Sequence, residues 1–317
     1  MNEIARERFA HVGPNAHDRE AVTRPSVTFM QDAMRRLLQN KVATLCAVLI
    51  VVLVLVSVIA PILSPFSFRE QHYGHIDAPM GTVCDAEGSE GHGHKHIFGT
   101  DTLGRDIFAR AWMGGRVSLL IAIVSAVIDF FIGVIYGGVS GYLGGTVDII
   151  MMRILEIING IPYLLLVILL TIILEPGIVT IIIAYSMVGW IPMARLVRGQ
   201  VVSLKRQEFV TAAEALGVKS GRIIARHLLP NALSVVIVRV TLSIPGAIFT
   251  EAYLSYLGLG VPLPHCSWGS LAQLGIGAFR TYPSQLIIPA VLISLTMLAF
   301  NMFGDGLRDS FDPKLRR

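Results

Sequence analysis

Six stretches of this chain run for eighteen residues or more with almost nothing charged in them. Val42–Leu63, Gly177–Ala194 and Leu286–Phe303 carry no charge at all. Val117–Tyr136 carries only Asp129, Ile154–Leu174 contains Glu156 and Pro162, and Ala232–Phe249 contains Arg239 and Pro245. A helix crossing about 30 Å of hydrocarbon needs about 20 mostly apolar residues, and each run meets or approaches that length. Only 15% of the 317 residues are charged and mean hydropathy is +0.65. Soluble domains carry about a quarter charged residues, so an oily soluble α/β enzyme does not fit. The predicted class is an all-α integral membrane protein with six transmembrane helices.

Lysine and arginine set the sides. Residues 1–41 hold seven (Arg6, Arg8, Arg19, Arg24, Arg35, Arg36, Lys41), and residues 195–230 hold seven more. Arg308, Lys314, Arg316 and Arg317 follow the last run, whereas 64–115 holds four basic residues against seven acids. Basic loops stay in the cytoplasm, so both termini and 195–230 are expected inside a cell (inner) membrane. The loops 64–115 and 250–285 are expected outside. Residues 1–25 read as a disordered tail. In 26–41, Phe29, Met30, Ala33, Leu37 and Leu38 recur at helical spacing, which suits an amphipathic helix on the inner surface.

The basic loop contains "FVTAAEALGVKSGRIIARHLLPN", Phe209–Asn231. Phe209, Ala212, Ala213 and Leu216 follow i, i+3, i+4, i+7 and predict one apolar helical stripe. Gly217 suits the left-handed residue that ends a helix, Ser220 the next cap, and Pro230 a stop. The unit looks like a DNA-binding helix-turn-helix, yet both ends are clamped into the bilayer, with no room to reach a major groove. A surface hairpin or a docking helix for another protein remains.

Here the chain resembles a known family. Paired alanines, a glycine four residues on, and Leu229-Pro230 after it are similar to the EAA loop of ABC-importer permeases. "HIFGTDTLGRDIFAR", "SGYLGGTVDIIMMRILEIINGIP", "ARLVRGQVVSLKRQEF", "EAYLSYLGLGVPLPHCSWG" and "FNMFGDGLRDSFDPKLRR" resemble the C-type permease subunits of oligopeptide and dipeptide importers. Thr211 stands where many members have Glu, with Glu208 and Glu214 flanking. The resemblance implies a type I importer permease fold, with residues 116–317 as the core and 200–230 as the EAA loop. It implies a B-type permease partner, two ATPases that bind ATP and Mg, an extracytoplasmic solute-binding protein and the lipid bilayer, with no nucleic acid. Glu208, Phe209, Ala212, Ala213, Glu214, Leu216, Gly217, Leu229 and Pro230 would then couple the pore to the ATPase. The implied cargo is an oligopeptide; dipeptides, nickel chelates and opines are the alternatives. No G-x-x-x-x-G-K-[ST] occurs, so the chain has no P-loop of its own. No catalytic arrangement is defensible, and no cofactor of its own is expected. An ion-coupled transporter and a membrane-bound sensor are the readings from other classes.

Several polar residues fall outside that frame. A carboxylate near the bilayer centre costs about 2.5–3.5 kcal/mol, so Asp129 belongs against helices or water, as a solute-path group or a packing partner. Glu156 and Arg239 can pair between the third and fifth spans. Pro162, Pro192, Pro245 and Pro289 are expected to kink their helices, and Gly133, Gly137 and Gly138 to allow close helix contact. Asp101, Arg105 and Asp106 form an outer patch that either meets a partner protein or stabilises its own loop. His92, His94 and His96 alternate as a transition-metal ligand set or as a solvated insert. Cys84 and Cys266, on the same side in this topology, are a possible disulfide.

Overall fold

The computed structural model describes residues 29–85, 88–89 and 91–312. The predicted disordered tail 1–25, and Lys314, Arg316 and Arg317, lie outside the described residues. Helix α1 (Phe29–Gln39) leads through Asn40 into α2 (Lys41–Leu63). The Asn40 side chain accepts from Ala43 N at 3.2 Å and caps α2. Only part of the expected amphipathic face of α1 packs on protein. Ala33 and Leu37 are buried, while Met30, Met34 and Leu38 stay exposed.

Five helical stretches are long and apolar enough to cross a membrane: Lys41–Leu63, Ile107–Leu143, Ile178–Lys205, Ser220–Tyr256 and Ser284–Phe311. The predicted span Ile154–Leu174 is different. It consists of α4 (Gly145–Asn159) and α5 (Tyr163–Leu174), bent by 75° between them. Pro162 lacks an N–H and crowds the turn before it, so the helix breaks there and the chain turns sharply instead of merely kinking. Counting this bent pair as one span gives the six that hydropathy indicated.

The other spans are longer than expected. α3 (Ile107–Leu143) runs well past Val117–Tyr136 at both ends. The fourth span is α6 (Ile178–Val188) followed by α7 (Ile191–Lys205), with Pro192 in the first turn of α7. Hydropathy marks only the apolar stretch, while the backbone hydrogen-bond ladder continues beyond it through Arg198 and Lys205. After α8 (Glu208–Ala215), α9 (Ser220–Ile223) and α10 (Leu229–Tyr256) run together through a π-helical turn at Ile224–Leu228. Pro230 does not stop the segment as predicted. It sits in the first turn of α10, where it has no N–H to offer, and Leu229 N instead bonds Ile224 O in the wider ring. Ser220 is the first helical residue rather than the cap, which is Lys219. A further helix, α11 (Trp268–Ala278), precedes α12 (Ser284–Phe311); it was not anticipated.

Packing centres on α3. A Cβ at Gly133, Gly137 or Gly141 would strike Met193, the Ala194 carbonyl or the Arg198 carbonyl on α7. The i, i+4 spacing makes one flat groove, and α7 lies in it backbone to backbone. Gly133 and Gly137 do what was expected. Gly138 instead makes ordinary contacts with Ile224 and Leu229, and Gly141 is the unpredicted member.

Candidate functional site

The stripe predicted on α8 divides in two. Val210 is 0% exposed and Ala213 8%, packed with Val197, Val201, Ile223 and Leu228. Phe209 is 42% exposed, Leu216 83%, and Ala212 is exposed as well. On a helix of 3.6 residues per turn, Val210 and Ala213 share one face, and Phe209, Ala212 and Leu216 share the neighbouring one. Ala213 therefore belongs to the inner face, not to the ridge on which the sequence reading placed it.

The ridge is held firmly. Gly217 takes φ +73°, with Val218 N bonding Ala213 O at 3.1 Å and Gly217 N bonding Glu214 O at 2.9 Å. This paired closure is a Schellman motif. Tyr142 Oη, at the end of α3, donates to Glu214 Oε1 at 3.0 Å. Lys205 Nζ donates to Tyr142 O at 2.7 Å and lies 4.9 Å from the centre of its ring. Of the two acids flanking the alanines, Glu214 is thus turned to its own chain and Glu208 stands exposed in the first turn. Leu229 packs against the same inner cluster, and Pro230 remains exposed.

The expected Glu156–Arg239 pair does not form. Glu156 is exposed and its Oε2 accepts from Arg153 Nη1 at 2.5 Å. Arg239 is half-buried on α10. Asp129 is 2% exposed, and neither carboxyl oxygen has a hydrogen-bond partner among the described residues. It packs beside Gly189, where any Cβ would strike both oxygens. Two polar sites escaped the sequence reading. Arg198 on α7 grips Asp148 on α4 with Nε–Oδ1 2.6 Å and Nη2–Oδ2 2.5 Å. Glu251, 1% exposed, accepts from Ser118 at 3.1 Å, Ser255 at 2.7 Å and Ser267 at 2.5 Å, tying α3, α10 and the start of α11 together. Glu251 opens one of the quoted motifs, yet spacing alone could not have shown that three hydroxyls converge on it.

The connection between α2 and α3 turns its polar side chains inward. Asp101, Arg105 and Asp106 are 8%, 3% and 1% exposed. Asp101 Oδ1 accepts from the backbone N–H of Leu103 and Arg105, both at 2.9 Å. Its Oδ2 accepts from Arg105 Nε at 2.8 Å and lies 3.6 Å from Arg110 Nε. Asp106 Oδ2 caps α3 through Ala109 N at 2.7 Å. These three side chains are buried and bond within their own loop, which favours the loop-stabilising alternative.

The histidine run also divides. His92 and His94 are exposed, whereas His96 is fully buried beside His72 and Cys84. Burial pushes His72 below the ordinary histidine pKa; Glu70 opposes this, and His96 and His75 add to it. The Cys84–Cys266 disulfide is absent: both thiols are free and buried. Cys84 Sγ faces His72, and Cys266 Sγ donates to Arg110 O at 3.4 Å.

Comparison with known proteins agrees with this arrangement. A family model described as binding-protein-dependent transport system inner membrane component matches residues 130–317. A second, the N-terminal TM domain of oligopeptide transport permease C, matches residues 28–79. The chain is 46% identical to the oligopeptide transport system permease protein OppC of Bacillus subtilis, over 100% of both chains. It is equally, 46%, identical to the dipeptide transport system permease protein DppC of that organism, over 100% of this chain and 95% of the relative. It is 42% identical to the OppC permease of Escherichia coli K12, over 90% of this chain and 91% of the relative.

Proposed function

The chain belongs to the family of binding-protein-dependent transport system inner membrane components, and on that premise we propose that it forms half of the pore of an ATP-driven oligopeptide importer. It is a permease subunit, not an enzyme. ATP and Mg are bound by two separate ATPase subunits. A B-type permease supplies the other half of the pore, and a solute-binding protein delivers the peptide outside. Both termini and α8 face the cytoplasm, in keeping with the basic residues of 195–230.

The observation that carries this reading is the exposed Phe209–Ala212–Leu216 ridge on a short helix whose other face is locked to α3 and α7. Ala212 leaves the ridge shallow, so the backbone of a partner can approach. A force applied there passes into α7 through Val210 and Ala213, and from α7 into α3 along the glycine groove. The motor shifts the pore only through contacts that differ between its two states, and a rigid attachment keeps that difference from being absorbed locally. Glu208 is the acid available to the ATPase.

The test uses the importer with all its subunits in vesicles. Ala212→Asp places a charge on the ridge without touching the buried cluster. The expected result is normal assembly with peptide uptake and peptide-stimulated ATP hydrolysis both lost. Cysteine at 212 should crosslink to an ATPase subunit. Undiminished uptake by Ala212→Asp would overturn the coupling role. Because DppC is as similar as OppC, dipeptide import is the second reading. Competition by labelled peptides of two residues against longer ones decides between them.

A further inference from the structure

The connection between α2 and α3 has little apolar core of its own. Its apolar cluster consists of Phe66, Cys84 and Ala109, with Phe68 partly buried against it. So small a core seldom suffices, and small units of this kind rely on a crosslink or a bound metal. The short hairpin of β1 (Thr82–Val83) and β2 (Lys95–His96) brings distant residues together there. Cys84 N bonds His94 O at 2.9 Å and Gly93 N bonds Cys84 O at 2.7 Å, which places the Cys84 thiol beside His96. His72 is anchored from the other side by its N–H to Gly104 O at 3.0 Å.

His72, Cys84 and His96 are 3%, 0% and 0% exposed, and one donor atom from each lies within 4.8 Å of the other two. His72 Nδ1 is 3.8 Å from Cys84 Sγ. Its Nε2 faces Glu70 Oε2 at 4.0 Å. His96 Nδ1 is 2.8 Å from Asp106 Oδ1, which leaves Nε2 as the free nitrogen. That nitrogen is buried and has no hydrogen-bond partner among the described residues. Buried polar atoms are almost always partnered, so an orphaned imidazole nitrogen in a buried cluster that also holds a thiol and a second imidazole points to a missing ligand. His72 Nε2 and Glu70 Oε2 are both buried without a hydrogen-bond partner among the described residues, while Asp106 holds one nitrogen of His96. Metal-ligating histidines are oriented by carboxylates in the same way. Phe66 stacks on His96 at 4.2 Å and meets His72 edge-on at 5.7 Å, closing the site against water. His75 is excluded from the ligand set, because its Nε2 is held by Asp85 Oδ1 at 2.5 Å.

We propose that His72, Cys84 and His96 form a zinc site that staples the α2–α3 connection. One thiolate with two imidazoles is a donor set for zinc, and ligands on one such ion stand roughly 3.5 Å apart. The three donors reach that spacing with small side-chain rotations. Binding releases the Cys84 proton to solvent and leaves Asp106 fixing the His96 imidazole. The exposed His92 and His94 take no part.

The test is metal binding by the full-length chain in detergent after chelation, using zinc and, as a coloured probe, cobalt(II). One equivalent per chain is expected, with a thiolate-to-cobalt charge-transfer band that zinc abolishes and a thermal transition raised by zinc. Cys84→Ser should remove the band, and Asp106→Asn, which can still cap α3, should weaken binding roughly 10–100-fold. His92→Ala with His94→Ala should change neither. The wild-type chain gives a readout that no misfolded variant can confuse: zinc should slow maleimide labelling of Cys84 but not of Cys46 or Cys266. Absence of the charge-transfer band, binding that follows His92 and His94, or labelling of Cys84 that zinc does not alter would each overturn the site.

Discussion

The α7–α10 connection and the α2–α3 connection invert each other. The first is rich in Lys and Arg yet leaves an apolar ridge, Phe209, Ala212 and Leu216, in the open. The second is acidic and histidine-rich yet takes Asp101, Arg105, Asp106, His72 and His96 inside. Large apolar side chains left exposed on a rigid, capped helix mark a surface another protein covers. Charges taken inside persist only when paired. On the proposed function the first connection serves a partner, whereas the second satisfies its own charges. Composition pointed to the opposite outcome for the second.

The comparison can be broken at several points. The largest effect is expected from Asp101→Ala, which leaves Arg105 and Arg110 buried without their carboxylate. Breaking a buried pair from one side costs about 3–5 kcal/mol. The α2–α3 connection should become protease-sensitive in detergent while α8 stays intact; an unaltered digestion pattern would mean that the loop does not depend on its interior charges. Next comes Gly137→Val. Its side chain would meet the Ala194 carbonyl and Arg198 N, and overpacking of this kind costs about 1–3 kcal/mol. The thermal transition should fall and the ridge should loosen from α3, read as weaker ATPase crosslinking at position 212. Retained crosslinking would show that α7 transmits nothing through the groove. A smaller loss is expected from Tyr142→Phe, which deletes one hydrogen bond to Glu214, about 0.5–1.5 kcal/mol. Least of all should come from Leu216→Ser, within about 0.5 kcal/mol of the parent. Its thermal transition should hold while coupled ATP hydrolysis drops. A clear destabilisation would place Leu216 in the fold rather than at an interface.

Much of the site was readable at the level of location. The EAA-like residues Phe209–Leu229 do form a short helix, a glycine closure and a return into the next span. Which of them faces outward was not readable, because Ala212 and Ala213 are chemically identical and differ only by 100° of helix rotation. The same limit applies to Glu208 and Glu214, separated only by the reach of Tyr142. The glycine groove was found for Gly133 and Gly137 but not for Gly141, since nothing local distinguishes Gly141 from Gly138. His92, His94 and His96 looked equivalent in alternation; the hairpin register buries only the last.

Sequence by itself determined that the chain is a multi-pass membrane protein with five to six apolar helical spans, and how its positive charge is distributed along it, because transfer into hydrocarbon depends on residue type summed over about 20 positions. It also located the loop that carries the ridge. Only the tertiary structure decided that the third span breaks at Pro162, that Glu156 pairs with Arg153 rather than Arg239, and that His72 and Cys84 join His96. Those outcomes depend on which side chains meet across distant segments, and meeting is set by helix rotation and loop register rather than by any residue's own chemistry.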